Sequence, residues 1–348
     1  MNIVVLCGGL SMERDVSITS GTMISEALKR SGHRAVLVDM FFGYTDPYED
    51  PAEIFEKEYL GAPTAGISEV PDLKAIRARR TEGGNCRIGS NVIEICQAAD
   101  IVFLALHGED GEDGKIQALF DIYDIKYTGC GYLGSGMAMN KGVAKEIFAQ
   151  NGILTPKGIT VNKYDAKPYA NAGFPCVVKP RSGGSSVGTS IVNEESEYEK
   201  ALELGFLYED DLIVEQYVKG RECDVAVLAG RALPVIEICP KNGFYDYKNK
   251  YQSGLTDEYC PADLPAEITE KLMRAAENVY HALMLDVYCR IDFIVDEKGD
   301  VYCLEANTLP GMTPLSLLPQ EAAAAGIGYE ALCEAIIEES LKKYDVKK

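Results

Sequence analysis

The first forty residues contain two apolar runs separated by an amphipathic stretch. Residues 2 to 7 form a short apolar run that ends at Gly8-Gly9, and a second apolar run covers residues 35 to 39. Between these runs, apolar side chains recur at helical spacing, at Val16, Ile18, Ile24, Ala27 and Leu28. The pattern predicts a buried strand, a glycine turn, a helix and a second strand, which is the opening of a doubly wound α/β sheet.

The middle of the chain changes from this pattern to strands mixed with helices. Residues 41 to 90 are rich in Pro, Gly and charge and only weakly periodic, so they predict a variable excursion. Predicted strands cover residues 101 to 106, 176 to 180, 186 to 192 and 211 to 217, and predicted helices cover residues near 140 to 151 and 194 to 204.

The last third predicts strands at 222 to 229 and 232 to 239, a helix at 265 to 284, hairpin arms at 287 to 295 and 300 to 305, and closing helices near 313 to 323 and 328 to 343. A Tyr- and Lys-rich loop at 241 to 260 lies within this part and is a candidate lid. A chain of 348 residues exceeds what one hydrophobic core usually serves. We therefore expect an α/β protein, α+β in parts, with units at residues 1–129, 130–219 and 220–348.

Composition and charge limit the kinds of molecule that the protein is expected to bind. Hydrophobic residues make up 47% and charged residues 25% of the chain, as in an ordinary globular protein, and the formal net charge is −20. Such a charge repels nucleic acid and anionic membrane, so we expect neither as a partner. The eleven cysteines are scattered without a CxxC pair, and no apolar segment is long enough to cross a bilayer. We expect reduced, mostly buried thiols and a cytoplasmic location.

A glycine- and serine-rich loop follows a predicted strand. The segment at 179 to 188 reads KPRSGGSSVG, with Lys179 at the end of the strand. Glycines let backbone amides turn toward phosphate oxygens, and the lysine adds positive charge. The pattern is not a Walker loop, because GxxxxGK[ST] is absent. A phosphate-binding loop and a flexible hairpin tip both fit this segment.

Polar residues alternate along both arms of the predicted C-terminal hairpin. Arg290 and Asp292 stand at alternate positions of RIDF, and Glu305 and Asn307 do the same in LEANTLPGMT. Alternate residues of a strand project from one face, so the oxygen-bearing side chains converge there. Such a set suits Mg²⁺, although a solvated face of an edge hairpin is the alternative.

A third segment, VEQYVKGRE at 214 to 222, places an apolar stretch between two acidic residues and between two strands. In this order and spacing, Lys141, the 179 to 188 loop, this hinge and the hairpin residues resemble the nucleotide site of the ATP-grasp superfamily. The resemblance implies an ATP-grasp fold with an N-terminal Rossmann-like, preATP-grasp domain. It also implies phosphate contacts from Lys141 and Lys179, adenine contacts from Glu215, Tyr217 and Val218, a ribose contact from Glu222, and two Mg²⁺ ions, replaceable by Mn²⁺, on Asp292, Glu305 and Asn307.

Four further motifs resemble those of D-alanine–D-alanine ligases. They are GGLSMERDVSITSG at 8 to 21, LHGEDGEDG at 106 to 114, FYDYKNKY at 244 to 251 and NTLPGMTPLSLLP at 307 to 319. The resemblance covers most of the chain and leaves out residues 41 to 90. One departure is Asn140 in AMNK, where such ligases commonly carry an aspartate; the amide keeps the hydrogen-bonding shape and loses the charge.

The resemblance also implies roles around the substrates. Glu13 anchors the ammonium group of the first D-alanine and His107 lies near its carboxylate, although a hydrogen-bonded histidine at a strand end would look the same in sequence. Ser185 and Tyr251 form a triad with Glu13, and Lys250 meets the γ-phosphate. Arg290 and the Gly311 amide hold the oxyanion, and Ser316 with Leu317 receives the second carboxylate.

The activity implied is ATP-dependent ligation of two D-alanines through an acyl phosphate, for synthesis of a peptidoglycan precursor and so for cell-wall biogenesis and cell shape. The resemblance further implies a homodimer. The alternatives left open are a ligase that uses D-serine or D-lactate as second substrate, a generic amino-acid ligase, and a nucleotide-binding module without catalysis. The presence of all the metal and oxyanion positions argues against the last of these.

Overall fold

The first sheet of the computed structural model contains three parallel strands in the order β2-β1-β3. They are β1 (Asn2–Cys7), β2 (Arg34–Asp39) and β3 (Ile101–Leu104), and helix α1 (Arg14–Arg30) joins the first two. All of β3 and the last five residues of β1 are buried, so both faces of these strands are covered, which explains their continuous apolar runs. The model describes residues 1–57, 71–81, 83–165, 173–184, 186–241 and 254–345.

The second sheet has four antiparallel strands in the order β4-β7-β5-β6. Its strands are β4 (Gly158–Asn162), β5 (Cys176–Pro180), β6 (Ser190–Val192) and β7 (Asp211–Gln216), with helix α7 (Glu195–Gly205) packed beside them. The strand predicted at 186 to 192 begins only at Ser190. Ser186 and Gly188 have φ angles of 57° and 73°, which belong to a turn and not to an extended strand.

The third sheet has six strands, with the order β11-β10-β8-β12-β13 and β9 paired to β8. The strand predicted at 232 to 239 is divided in two, because Pro234 lies between its halves and cannot donate to a ladder. The predicted hairpin arms pair with each other over six residue pairs, and β12 pairs with β8 over nine. The strands are β8 (Gly220–Leu228), β9 (Arg231–Ala232), β10 (Ile236–Pro240), β11 (Thr256–Tyr259), β12 (Tyr288–Asp296) and β13 (Val301–Asn307).

Further helices surround the sheets. Residues 41 to 90 were predicted as an excursion, and a 3-10 helix (Pro51–Phe55) and a short α-helix lie in its described part. The remaining α-helices are α2 (Leu73–Ala78), α3 (Val92–Gln97), α4 (Lys115–Ile122), α5 (Tyr132–Met139), α6 (Lys141–Gln150), α8 (Ala266–Ala282), α9 (Leu317–Ala324) and α10 (Tyr329–Asp345).

The last helix returns to the first sheet. Leu332, Ile336 and Ile337 of α10 are fully buried in the same hydrophobic cluster as the strands β1 to β3. On the surface, Arg30 at the end of α1 pairs with Glu330 at 2.8 Å. The core beside the parallel sheet is therefore built from both ends of the described chain.

All eleven cysteines are free and eight of them are buried, while Cys86 is exposed. Within the described ranges, no helix combines the length and the apolarity that a bilayer crossing needs.

Candidate active site

A cleft opens between the four-stranded and the six-stranded sheets. It encloses about 980 Å³, including the open space at its mouth. Lys179 and Glu215 line it from the four-stranded sheet, and Asp292 and Glu305 line it from the six-stranded sheet. Ser182, Gly183 and Gly184 of the Gly/Ser loop also line the cleft. The structure therefore brings together three segments that the sequence analysis singled out separately.

Glu215 is a buried carboxylate held between two lysines. Its Oε1 lies 2.6 Å from Nζ of Lys179 and its Oε2 lies 2.5 Å from Nζ of Lys145, and only 2% of the residue is exposed. Burial favours the neutral acid, but the two ammonium groups outweigh it and lower the pKa of Glu215. The carboxylate therefore stays ionised.

The two lysines differ in environment. Burial would lower the pKa of Lys179, but the carboxylates of Glu215 and Glu305 outweigh that effect and raise it. For Lys145 burial dominates over Glu215, and the pKa is lowered. Lys145 also donates to Thr155 Oγ1 at 2.7 Å and to the carbonyl oxygen of Pro156 at 2.9 Å. Lys179 lines the cleft, whereas Lys145 was not identified from the sequence.

The predicted adenine and ribose contacts belong to the lining of the cleft. Tyr217, Val218 and Glu222 all line it. Glu215 was predicted to contact adenine. In the structure its carboxylate forms salt bridges with Lys145 and Lys179, and Glu215 and Lys179 form part of the wall of the cleft. Contact with adenine itself stays a prediction for these residues.

Lys141 stands at the first position of helix α6 and reaches into the cleft. Asn140 caps this helix, since its Oδ1 accepts a hydrogen bond from the amide of Val143 at 3.1 Å. The departure seen in AMNK therefore keeps a capping function. Nζ of Lys141 donates to the carbonyl oxygen of Gly183 at 2.6 Å and lies 3.1 Å from Oε2 of Glu305. A phosphate-binding candidate thus touches both the Gly/Ser loop and the hairpin.

The hairpin β12–β13 carries its polar side chains on one face, as predicted. Asp292 lies opposite Glu305 and Arg290 lies opposite Asn307 in the antiparallel register. Nδ2 of Asn307 donates to both carboxylate oxygens of Asp292 at 3.1 Å, and Nη2 of Arg290 donates to Oδ2 of Asp292 at 3.0 Å. Asp292 and Glu305 face the cleft, which disfavours the alternative of a polar edge turned toward bulk solvent.

The donor chemistry of this face fits a hard divalent cation. Asp292 and Glu305 supply carboxylates and Asn307 supplies an amide oxygen, which are ligands that Mg²⁺ accepts together with substrate phosphates. In the described part of the chain, no three His, Cys, Asp or Glu side chains converge as a metal site by themselves. Two carboxylates and one amide oxygen leave room for an ion to take further ligands from phosphates and water.

Sequence reasoning missed Asp224, which lies on the same face of the sheet. Asp224 on β8 is opposite Asp292 on β12, is 1% exposed, and its Oδ2 lies 2.9 Å from Nε of Arg290. Burial and the neighbouring Asp292 raise its pKa, and Arg290 opposes them. The signal was present, because Glu222 and Asp224 alternate with apolar residues in RECDVAVL as Arg290 and Asp292 do in RIDF.

Glu13 is close to two loops that contain other motifs. An added Cβ on Gly108 would lie 2.7 Å from Oε2 of Glu13, and one on Gly184 would lie 3.1 Å from the same oxygen. Both glycines therefore permit a close approach that a side chain would hinder. The carboxylate predicted to anchor an ammonium group lies where the segments 8 to 21, 106 to 114 and 179 to 188 meet.

His107 is buried and its two ring nitrogens have different partners. Nδ1 lies 2.7 Å from the carbonyl oxygen of Leu309 and Nε2 lies 3.2 Å from Oγ of Ser20. Burial lowers the pKa of His107, against an opposing effect of Glu13. A neutral ring that donates through Nδ1–H to Leu309 and accepts through Nε2 from Ser20 satisfies both contacts.

Glu112 is a second acid that sequence reasoning did not single out. Its Oε2 accepts from the amide of Gly108 at 2.8 Å and its Oε1 accepts from the amide of Leu309 at 3.0 Å. Burial, with a contribution from Glu13, raises the pKa of Glu112 to about 7. Four acidic residues stand in HGEDGEDG, and the pattern alone does not distinguish the one that bridges to the distant Leu309.

The loop after β13 brings Gly311 beside Ser316. An added Cβ on Gly311 would lie 2.7 Å from Oγ of Ser316, and that oxygen accepts from the amide of Thr313 at 3.1 Å. Ser316 is the N-cap position of helix α9 and Leu317 is its first residue. A helix N-terminus favours negative charge, which is compatible with the predicted carboxylate contact.

Three predicted site residues, Ser185, Lys250 and Tyr251, lie outside the described residues. Of the candidate lid at 241 to 260, only residue 241 and residues 254 to 260 are described.

Comparisons with known proteins agree over the whole length. Residues 2–130 match the family described as D-ala D-ala ligase N-terminus, and residues 148–338 match D-ala D-ala ligase C-terminus. Proteins named D-alanine–D-alanine ligase from Pediococcus pentosaceus and Lacticaseibacillus casei are 44% and 45% identical, and the alignments cover 99% of this chain and 99% and 97% of theirs.

Two solved structures are similar in fold. A D-alanine–D-alanine ligase from Bacillus anthracis complexed with ATP has a TM-score of 0.75 at 33% identity, covering 100% of this chain and 99% of that one. A D-Ala:D-Ser ligase from Enterococcus faecalis has a TM-score of 0.72 at 26% identity, covering 97% of this chain and 99% of that one. The Bacillus anthracis protein thus combines this fold with bound ATP.

Proposed function

This chain belongs to the D-alanine–D-alanine ligase family, with the ATP-grasp fold of that family, and we infer that it uses ATP to join two D-alanines into D-alanyl-D-alanine. The observation that carries this inference is the pair of family matches, which span residues 2–130 and 148–338. The dipeptide is a building block for peptidoglycan, so the enzyme serves cell-wall synthesis.

The chemistry explains why ATP is needed. A carboxylate does not react with an amine at neutral pH, because its oxygen is a poor leaving group. Transfer of the γ-phosphoryl group to the first D-alanine makes an acyl phosphate, and the second amine then displaces phosphate through a tetrahedral oxyanion. The protein contributes positioning, charge stabilisation and exclusion of water.

The proposed phosphate contacts are Lys141 and Lys179, because both are cationic groups that line the cleft. Lys250 is proposed to meet the γ-phosphate on the basis of the resemblance. Glu215 with the Tyr217-Val218 backbone would hold adenine, and Glu222 would hold the ribose. All four residues line the same cleft as the two lysines, which supports this assignment.

Asp292, Glu305 and Asn307 are proposed to hold Mg²⁺. When bound, the metal would neutralise phosphate charge and orient the γ-phosphoryl group. The cross-strand pairing of Asp292 with Glu305 and the amide contact from Asn307 support this role.

The remaining proposed contacts are with the two amino-acid substrates. Glu13 would bind the ammonium group of the first D-alanine and His107 would lie near its carboxylate. Arg290 and the amide of Gly311 would stabilise the oxyanion, a contribution of about 3–4 kcal/mol per donor in other enzymes. Ser316 and Leu317 would bind the carboxylate of the second D-alanine. Ser185 and Tyr251 would form the hydrogen-bonded triad with Glu13.

The deciding experiment measures phosphate release from ATP with D-alanine, D-serine, D-lactate or L-alanine, followed by mass spectrometry of the product. We expect D-alanyl-D-alanine as the main product. Phosphate release only with L-alanine would contradict the inference, and so would ATP binding without any ligation. We also propose a cytoplasmic location, where ATP is available, and a homodimer. Gel filtration with light scattering tests the homodimer.

A further inference from the structure

Arg290 is held by two carboxylates and not by one. Its Nε lies 2.9 Å from Oδ2 of Asp224 and 2.9 Å from Oδ1 of Asp292. The three side chains are 14%, 1% and 9% exposed, so the cluster is nearly closed to solvent. Asp292 lies on β12, the strand that contains Arg290. Asp224 lies on β8, which pairs with β12 along its whole length.

The two acids differ in their access to the substrate cleft. Asp292 lines the cleft and is proposed to bind Mg²⁺, whereas Asp224 is not among the lining residues. Oδ1 of Asp224 is buried and accepts no hydrogen bond in the described part of the chain. A buried carboxylate is costly unless it is paired, and the only ion pair of Asp224 among the described residues is with Arg290.

We propose that Asp224 is a positioning residue, which holds the Nε edge of Arg290 in place while Asp292 serves the metal. The proposal rests on the proposed function, in which Arg290 stabilises the oxyanion. A guanidinium group is planar and its donors are fixed relative to one another. In the structure Nε–H and Nη2–H donate to Asp292; when Asp292 turns to the metal, the contact of Asp224 with Nε is left to limit how far the guanidinium group can turn. Asp292 cannot maintain this hold alone, since a carboxylate that turns to a cation weakens its bond to Arg290.

The first test replaces Asp224 in two steps. Asp224→Asn keeps an acceptor oxygen and removes the charge, so kcat should fall about threefold to tenfold. Asp224→Ala removes the acceptor as well, and kcat should fall about tenfold to a hundredfold, less than the loss of an oxyanion donor itself. KM for ATP should change by less than about threefold in both, because Asp224 does not line the nucleotide cleft.

Glu237 provides a matched control. It is 8% exposed, lies on the neighbouring strand β10 and is bound by Arg221 through two hydrogen bonds of 2.5 and 2.6 Å. It pairs with Cys223, whose side chain points to the face opposite Asp224. Glu237→Gln and Glu237→Ala should lower the melting temperature, because each removes the charge that Arg221 binds, while kcat stays close to that of the wild type.

A double-mutant cycle with Arg290→Lys separates the proposal from the proposed function. If Asp224 acts through Arg290, Asp224→Asn should have almost no further effect on kcat in the Arg290→Lys background. Full activity of Arg290→Lys would overturn the oxyanion role and the proposed function of this residue. An inactive or impaired Arg290→Lys combined with a fully active Asp224→Asn would overturn the positioning role alone.

A spectroscopic measurement needs no turnover. The Nε–H resonance of Arg290, identified by its loss in Arg290→Lys, should be observable in the wild type both without ligands and with Mg²⁺ and a non-hydrolysable ATP analogue. In Asp224→Asn the resonance should broaden or disappear only when Mg²⁺ and the analogue are added, because Asp292 then leaves Nε. An unchanged resonance in that variant would contradict the proposal.

Discussion

The ammonium nitrogen of Lys141 lies 3.1 Å from Oε2 of Glu305, so the start of helix α6 meets the end of strand β13 in one charge pair. Lys141 is a proposed phosphate contact and Glu305 is a proposed metal ligand. When nucleotide and metal are bound, each of these groups would have a partner of opposite charge in the ligand. In the protein without ligands, the pair therefore neutralises two charges that the nucleotide and the metal would need when they bind.

Glu305→Gln tests the metal assignment. The substitution keeps the shape and removes the negative charge, so turnover should fall by about two orders of magnitude or more, since a catalytic metal contributes several kcal/mol. Glu297→Gln is the control, because Glu297 lies in the turn of the same hairpin with an 80% exposed side chain. Initial rates of phosphate release measure both. A folded Asp292→Asn/Glu305→Gln double variant with near wild-type turnover would be incompatible with the assignment.

Lys179→Met and Lys145→Met distinguish ligand binding from stability. Each substitution removes one of the two ammonium partners of Glu215, so both should lower the melting temperature. Only Lys179 lines the cleft, and its loss should weaken ATP binding about tenfold to a hundredfold, as expected for a charged hydrogen bond. Calorimetric titration with ATP measures this difference. Equal affinity in Lys179→Met and the wild type would make Lys179 a structural residue.

Glu321 should make stability depend on pH. Burial raises the pKa of Glu321 from 4.5 to about 8, and its Oε1 accepts from the amide of Ala226 at 2.7 Å. An acid whose folded pKa is raised contributes stability that is fully present below the unfolded pKa and is lost as pH rises through the folded pKa. Glu321→Gln cannot ionise and escapes this loss.

The melting temperature of Glu321→Gln relative to the wild type should therefore increase between about pH 5 and pH 8.5. Thermal unfolding of both proteins across this range provides the measurement. His107 has a lowered pKa and should have the opposite effect, a loss of stability as pH falls below about 6.5, in both proteins alike. A constant difference between the two melting temperatures would show that Glu321 does not titrate in this range.

Gly311→Ala should act on the second substrate. The added Cβ would lie 2.7 Å from Oγ of Ser316, so the serine has to move. We expect KM for the second D-alanine to rise about tenfold while KM for ATP stays within about threefold. Gly311→Ala/Ser316→Gly should recover part of the loss only if crowding is its cause, since the double variant restores the space. Equal changes in both KM values would point to a general disturbance of the loop.

The hairpin β12–β13 shows what a pattern along the chain can predict. Alternation alone predicted that Arg290, Asp292, Glu305 and Asn307 share one face, because strand geometry relates neighbours of known spacing. The same alternation relates Glu222 and Asp224 on β8, but the sequence does not show that β8 becomes the neighbour of β12 and so brings Asp224 beside Arg290.

Other features depend on contacts between distant parts of the chain. Glu112 bonds to Leu309 and Glu321 bonds to Ala226, and no local pattern distinguishes these buried acids from exposed ones. Strand β4 was missed because three of its five residues are exposed. Helix α5 was missed because it contains Gly134, where an added Cβ would lie 2.7 Å from the carbonyl oxygen of Met284. Close packing, and not helix propensity, therefore determines that this segment is helical.

Helix α10 has a consequence for how the protein is made. Its buried residues Leu332, Ile336 and Ile337 complete the core around β1, β2 and β3. A ribosome delivers the strands first and this helix some two hundred residues later, at about 5–20 residues per second. The parallel sheet is therefore synthesised about ten seconds or more before the helix that supplies these three core residues. During that interval the core around the strands lacks the side chains of Leu332, Ile336 and Ile337, so the first third of the chain reaches its final packing only after α10 has been made.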